Sequence, residues 1–283
     1  MQQRLERIGP GERGAGEPAG GTLVFAHANG YPVGSYRQFL EGLASEFRVI
    51  GYYHRPMWSE ESAPELLDWN CFTDDLLETL VATQSEPVWM MGHSMGGVVS
   101  IQAAARQPEL FRGLVLIDPV FPTPQALEAQ RKLPAEAREQ IPLVRKTLTR
   151  PNRFASRQEA FDFHRGKRVF ADFSDSVLWD YINAGTRERP GGDYELAYCR
   201  EWEAAAYRSG PEVWAELAAV KLPVLGLRGD TSTTLSPEAF ALWGETQPSA
   251  ELRNCSGGHL LPLERPGETA ATVLEFLRGH TAD

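Results

Sequence analysis

Short, nearly continuous apolar runs alternate along this chain with stretches in which apolar residues recur every three or four positions. Gly21 to Gly30 (GTLVFAHANG), Arg48 to Tyr53 (RVIGYY), Pro87 to Gly97 (PVWMMGHSMGG) and Phe111 to Val120 (FRGLVLIDPV) are apolar runs closed by turn formers, as expected of strands buried on both faces. Between them, Ser35 to Phe47, Cys71 to Gln84 and Val98 to Gln107 carry helical spacing, with Phe72, Leu76, Leu77 and Leu80 along one face of the second. Strands that alternate with helices pair in parallel through right-handed crossovers and carry helices on both sheet faces, so the expected fold class is α/β.

From Phe121 to about Lys221 the alternation stops. The segment is charged, aromatic and proline-bearing, with helical stretches at QALEAQRKL, SRQEAFDFH and YELAYCREWEAAAY. The strand pattern resumes at Leu222 to Asp230, followed by a helix near PEAFALWGE, the run SAELRNCSGGH and a closing helix in ETAATVLEFLRGH. Residues 1–120 and 221–283 are thus expected to form one core, and 121–220 an inserted helical cap.

With 283 residues, 42% of them hydrophobic, the chain can bury a full core. Its formal net charge of -10 disfavours nucleic acid and anionic membranes, which require concentrated positive surface. A small-molecule substrate and a monomer or homodimer fit better. The first twenty-one residues contain no apolar signal region, and no run reaches the roughly 18 apolar residues of a membrane span, so a cytoplasmic protein is expected. Cys71, Cys199 and Cys255 are widely spaced and form no CxxC pair, which predicts reduced thiols and no metal site.

Gly92-His93-Ser94-Met95-Gly96 matches G-x-S-x-G, with a strand (VWMM) before it and a helix (GVVSIQAAA) after it. In that context the glycines permit a sharp strand-to-helix turn that presents the serine in a strained, exposed position. FAHANGYP, GHSMGG, LVLIDP and GGHLLPLERP follow one another in the order of the oxyanion loop, nucleophile elbow, next strand and histidine loop of the α/β-hydrolase superfamily. The chain resembles that superfamily from Gly21 to His280. The resemblance implies a mostly parallel central sheet and no cofactor.

A serine hydroxyl needs a base, and the base an orienting acid. Among six histidines the resemblance points to His259, on a glycine-flanked loop downstream of Ser94. His27 and His93 flank turns, His280 lies at a terminus expected to fray, and His54 and His164 are solvated or pocket-lining. Relatives place the acid three or four residues beyond the glycine of LPVLGLRG, where this chain has Ser232 and Thr233. Asp118, after the strand that follows the nucleophile helix, is therefore favoured, with Asp230 as the alternative. The main-chain N–H groups of Met95 and Asn29 map to the oxyanion donors, and Ala28 stands where relatives have glycine.

An aromatic loop from Tyr52 to Trp58 replaces the usual D-x-R-G-x-G run, and the cap is rich in Phe, Tyr and Trp. Tyr31, Trp58 and Trp179, with His27 and His93, are the candidate pocket residues. The expected activity is hydrolysis of a small or medium apolar or aromatic carboxylic ester through an acyl-enzyme on Ser94. Thioesters, lactones, amides, C–C bonds and perhydrolysis stay open on the same residues, as does a non-catalytic binding protein, motivated by the unsettled acid.

Overall fold

The apolar runs become parallel strands in the computed structural model, which describes residues 4–9 and 20–281. Most of the glycine-rich leader considered above lies outside the described residues. The strands are β1 (Leu5–Arg7), β2 (Thr22–Ala26), β3 (Arg48–Tyr52), β4 (Val88–His93), β5 (Phe111–Ile117), β6 (Arg153–Phe154), β7 (Thr186–Glu188), β8 (Tyr194–Leu196), β9 (Val224–Gly229) and β10 (Glu251–Cys255). The helices are α1 (Arg37–Glu41), α2 (Asn70–Thr83), α3 (Met95–Arg106), α4 (Pro124–Arg131), α5 (Ala135–Glu139), α6 (Pro142–Thr149), α7 (Arg157–Arg165), α8 (Asp175–Gly185), α9 (Arg200–Arg208), α10 (Trp214–Ala219), α11 (Pro237–Thr246), α12 (Leu261–Glu264) and α13 (Pro266–Thr281).

Seven strands form the main sheet in the order β1-β3-β2-β4-β5-β9-β10, parallel throughout except for β1 against β3. Alternate residues of each central strand face opposite cores. Leu23, Phe25, Met91, Val115 and Leu227 pack with α1 and α13, whereas Val24, Ala26, Met90, Leu116 and Val224 pack with α2, α3 and α11. Both faces are covered, which is why these runs are apolar at every position rather than at every second one. After β2 the chain moves outward to β3 and returns on the other side of β2 to form β4. That reversal is the topological switch point, where the loops leaving the carboxyl ends of neighbouring strands part and leave a crevice.

Between Ile117 and Val224 no described strand joins the main sheet. This stretch holds seven helices and a separate antiparallel sheet in the order β6-β8-β7. Its side chains merge with both cores, Phe154, Phe170 and Ile182 on one side and Trp202 and Ala205 on the other.

Two expectations change, and one strand was not expected. Ser35 to Phe47 is a 3-10 turn over Val33–Tyr36 followed by the five-residue α1, which stops at Gly42, although Leu43 and Phe47 still turn inward. YELAYCREWEAAAY is divided: Tyr194–Leu196 forms β8, the central strand of the small sheet, with Glu195 paired to Arg187 and Arg189, and only α9 is helical. Strand pairing and cross-strand charges override helical spacing there. The edge strand β1 had no apolar signal and forms by pairing Leu5 with Tyr52.

Candidate active site

Five strands, β2, β4, β5, β9 and β10, end at the same edge of the sheet, and each delivers one part of the site. The turn from β4 into α3 is forced by close packing. A Cβ on Gly92 would run into the Gly96 carbonyl, and one on Gly96 into the Ala26 carbonyl of β2. Ser94 is left between them at φ 55°. Among the described residues the other non-glycine at positive φ is Asp118, at 41°. Left-handed conformations at such residues carry about 1–3 kcal/mol of strain and persist only where their surroundings fix them.

Those two residues meet through His259. Its Nε2 lies 3.0 Å from Ser94 Oγ and its Nδ1 2.8 Å from Asp118 Oδ1. A carboxylate oxygen accepts, so Nδ1 carries the proton and Nε2 is free to receive the serine hydroxyl. Asp118 is fully buried, and its Oδ2 accepts from the Gly229 N–H at 2.8 Å. Its Oδ1 also accepts from Ser232 Oγ at 2.6 Å. Ser232 occupies the loop position where relatives were expected to carry the acid, and it faces the same His259 partner from the other strand end. Asp230 turns away: its Oδ1 accepts from the Gly257 N–H at 3.0 Å and braces the histidine loop. Glu264 holds that loop from the other side through the N–H groups of Gly258 and Leu260.

Met95 opens α3, so its N–H is one of the first-turn donors that a helix leaves without an internal partner. Ala28 sits outside the left-handed region, the positive φ of this loop falling on Gly30 at 77°, and alanine is thereby accommodated. The Asn29 side chain reaches across to the insertion, its Nδ2 donating to the Glu203 main-chain oxygen of α9 at 3.1 Å. Above Gly30 lies the Glu203 carboxylate, which is 5% exposed and paired through both oxygens with Arg150 at 2.9 and 2.5 Å. Neither Arg150 nor Glu203 was singled out from the sequence, where nothing distinguishes them from the surface charges around them.

The candidate pocket residues divide. Tyr31 packs against Tyr181 at 5.3 Å and Phe170 at 6.4 Å, joining the first loop to the insertion. Trp179 is stacked on Phe161 at 4.5 Å within the insertion. Trp58 is held by Arg4 at 4.2 Å and by its N–H to the Tyr53 carbonyl, and lines a polar cavity of about 660 Å³ that contains neither Ser94 nor His259. His27 and His93 must be corrected: both are 0% exposed, and both ring nitrogens of each are hydrogen-bonded to the protein. They hold loops, and neither ring presents surface to a ligand. His54 and His164 are buried as well rather than solvated, and His280 packs its ring on Phe276 and Trp89.

Burial lowers His27 to about 4 and pushes His54 and His93 well below the usual histidine range, so all three are neutral near pH 7. Ser94 is 5% exposed, Asn29 7% and Met95 0%. The Ser94 side chain is thus nearly enclosed. Among the described residues no cluster of three or more His, Cys, Asp or Glu side chains could hold a metal ion, and no helix is long and apolar enough to cross a membrane.

A family model described as the alpha/beta hydrolase family matches residues 23–272. A monoglyceride lipase of Rattus norvegicus is 31% identical over 124 residues, 41% of this chain and 41% of the lipase. A Rhizobium rhizogenes protein that carries the name carbamate hydrolase RutD is 29% identical over 106 residues, 37% of this chain and 40% of its own. The matches span about two fifths of the length of these curated relatives. Among solved structures, E-2-(acetamidomethylene)succinate hydrolase superposes with a TM-score of 0.77 at 20% identity, covering 97% of this chain and 94% of its own.

Proposed function

The chain belongs to the alpha/beta hydrolase family, and from that premise we propose that it is a serine hydrolase that cleaves a small or medium carboxylic ester. One observation carries the assignment: Ser94 Oγ, His259 and Asp118 form an unbroken hydrogen-bonded chain at 3.0 and 2.8 Å at the carboxyl ends of β4, β10 and β5. Ser94 attacks the ester carbonyl carbon while His259 Nε2 takes its proton. The negative charge on the carbonyl oxygen is met by the Met95 and Asn29 N–H groups. Collapse expels the alcohol, which receives the proton from His259, and leaves an acyl group on Ser94. Water then attacks the acyl carbon, gives its proton to His259 and releases the acid, and the proton returns to Ser94. Asp118 keeps the Nδ1 proton in place throughout and stabilises the imidazolium that forms in each half.

The near-enclosure of Ser94 supports residues 121–220 as a cap that must yield for substrate to enter. Tyr31, Phe170 and Tyr181, in mutual contact across that boundary, are aromatic groups that an apolar or aromatic acyl chain would meet once the cap yields. The monoglyceride lipase likeness also supports an ester. The non-catalytic alternative loses its motive once Asp118 lies against His259.

p-Nitrophenyl esters of increasing acyl length test the assignment, with Ser94→Ala as control. Hydrolysis is expected from the native protein, reduced by at least about 10³-fold in the variant, together with labelling of Ser94 by a fluorophosphonate. A Ser94→Ala protein that keeps most of its rate would overturn it.

A further inference from the structure

His93, the residue before the nucleophile, is fully buried, and the direction of every hydrogen bond it makes is fixed by its partners. The His259 main-chain oxygen, 2.7 Å from His93 Nε2, can only accept, so Nε2 carries the proton. His93 Nδ1 must then accept, and the Tyr36 hydroxyl at 2.7 Å donates to it. The same hydroxyl oxygen accepts from the Ala28 N–H at 3.3 Å. A single directed path therefore runs from the loop that carries His259, through the neighbour of Ser94, to the residue before Asn29.

We propose that His93 and Tyr36 are positioning residues, which hold the His259 loop and the Asn29 loop in fixed register about Ser94; the proposal rests on the serine-hydrolase reading above. Three features support it. Tyr36 is 1% exposed and its ring packs edge-on against Phe25 at 4.7 Å and Phe39 lies beyond, so the hydroxyl has no freedom to swing away. The His93 ring lies 5.6 Å from that of Tyr36 and 5.1 Å from that of His259, so the path is packed as well as bonded. Burial keeps His93 neutral, as the tautomer requires. Neither side chain reaches the reacting atoms; each acts by fixing a main-chain group next to one that does. A misplacement of about 1 Å at such a site lowers the rate about 10²-fold, so removal of one hydroxyl acts on kcat rather than on substrate affinity.

Tyr36→Phe tests this, since it deletes the hydroxyl and keeps the ring. Steady-state ester hydrolysis and histidine ¹⁵N spectra are compared in the native and variant proteins, each checked for folding by thermal unfolding. The native protein is expected to hold His93 as the Nε2–H tautomer from about pH 6 to 8. The variant is expected to lose about 10- to 100-fold in kcat with KM changed less than about threefold, and to move the His259 ring resonances, which the hydroxyl does not touch. Unchanged kcat in folded Tyr36→Phe, or a loss confined to KM, would overturn the proposal. If the native protein neither turns over esters nor reacts with a fluorophosphonate, the serine-hydrolase reading fails; the spectra then decide alone, His259 resonances that shift supporting the coupling and resonances that stay refuting it. Should Tyr36→Phe not fold, His93→Gln, whose amide still donates toward the His259 carbonyl, is expected to retain at least tenfold more kcat than His93→Leu. Equal losses in those two variants would count against the path.

Discussion

At the scale of single residues, the arrangement around Asp118 accounts for a serine at 232, where the resemblance led an acid to be expected. A carboxyl group is needed on the Nδ1 side of His259, and it is delivered from the end of β5; the β9 loop, where relatives were expected to carry it, contributes Ser232 instead. Ser232 donates 2.6 Å to Asp118 Oδ1, and the Gly229 N–H donates to Oδ2, so the carboxyl group is fixed from both sides before His259 approaches. Asp118→Asn is expected to lower kcat about 10³- to 10⁴-fold by stabilising the wrong histidine tautomer. Asp230→Asn, which only loosens the Gly257 turn, is expected to stay within about threefold. Introducing Ser232→Asp into the Asp118→Asn protein should recover about tenfold of the lost kcat, because the two side chains converge on one point. Equal losses at Asp118 and Asp230 in the ester assay would refute this division of roles.

At the scale of elements, α9 meets the first loop through polar contacts, as α8 does through the Tyr181 ring. Its main chain takes the Asn29 amide, its Glu203 carboxylate lies over Gly30, and Arg150 just beyond α6 neutralises that carboxylate. A buried ion pair contributes little by itself, but removal of one partner leaves an uncompensated charge. Arg150→Met is therefore expected to destabilise the protein by about 3 kcal/mol, the lower end of the usual range because the Arg150 side chain retains 23% exposure. Arg150→Met combined with Glu203→Leu should recover most of that loss. Urea unfolding of the two variants checks it: a double variant less stable than the single one would show that the pair stabilises the insertion directly.

At the scale of the whole molecule, three neutral histidines lie inside the core edge near the site. His27 donates from Nδ1 to the Ala28 carbonyl at 2.8 Å and accepts the His54 N–H at Nε2, while His54 donates from Nε2 to the His27 carbonyl. With a folded value of about 4 for His27 against about 6.5 unfolded, the unfolded chain binds the extra proton between those limits. Stability is then complete above pH 6.5 and is lost as pH falls toward 4, by up to about 1.4 kcal/mol per pH unit for each such histidine. His54 and His93, lowered in the same direction mainly by burial, steepen the loss. Urea midpoints measured from pH 7.5 to 4.5 should fall continuously below about pH 6.5. A midpoint that stays level to pH 5 would mean that these side chains admit water.

The sequence by itself determined the sheet, because strands buried on both faces must be apolar at every position, and it determined the elbow, because glycines at 92 and 96 are the residues that the approach of β2 and α3 permits. It also pointed to Ser94 through the G-x-S-x-G turn and, by way of the family resemblance, to His259 on its glycine-flanked loop. It left open which acid meets His259, since Asp118 and Asp230 sit at the ends of adjacent strands and only the direction in which each loop turns separates them. It gave the histidines no environments: His27 and His93 read as pocket residues until both nitrogens of each proved to be spent on protein partners, one of them next door at Ala28 and the others on the His54, Tyr36 and His259 loops. Short elements such as β1 and β8 escaped for a related reason. Two or three residues carry no periodicity of their own, and their conformation comes from the partner strand, which only the tertiary structure supplies.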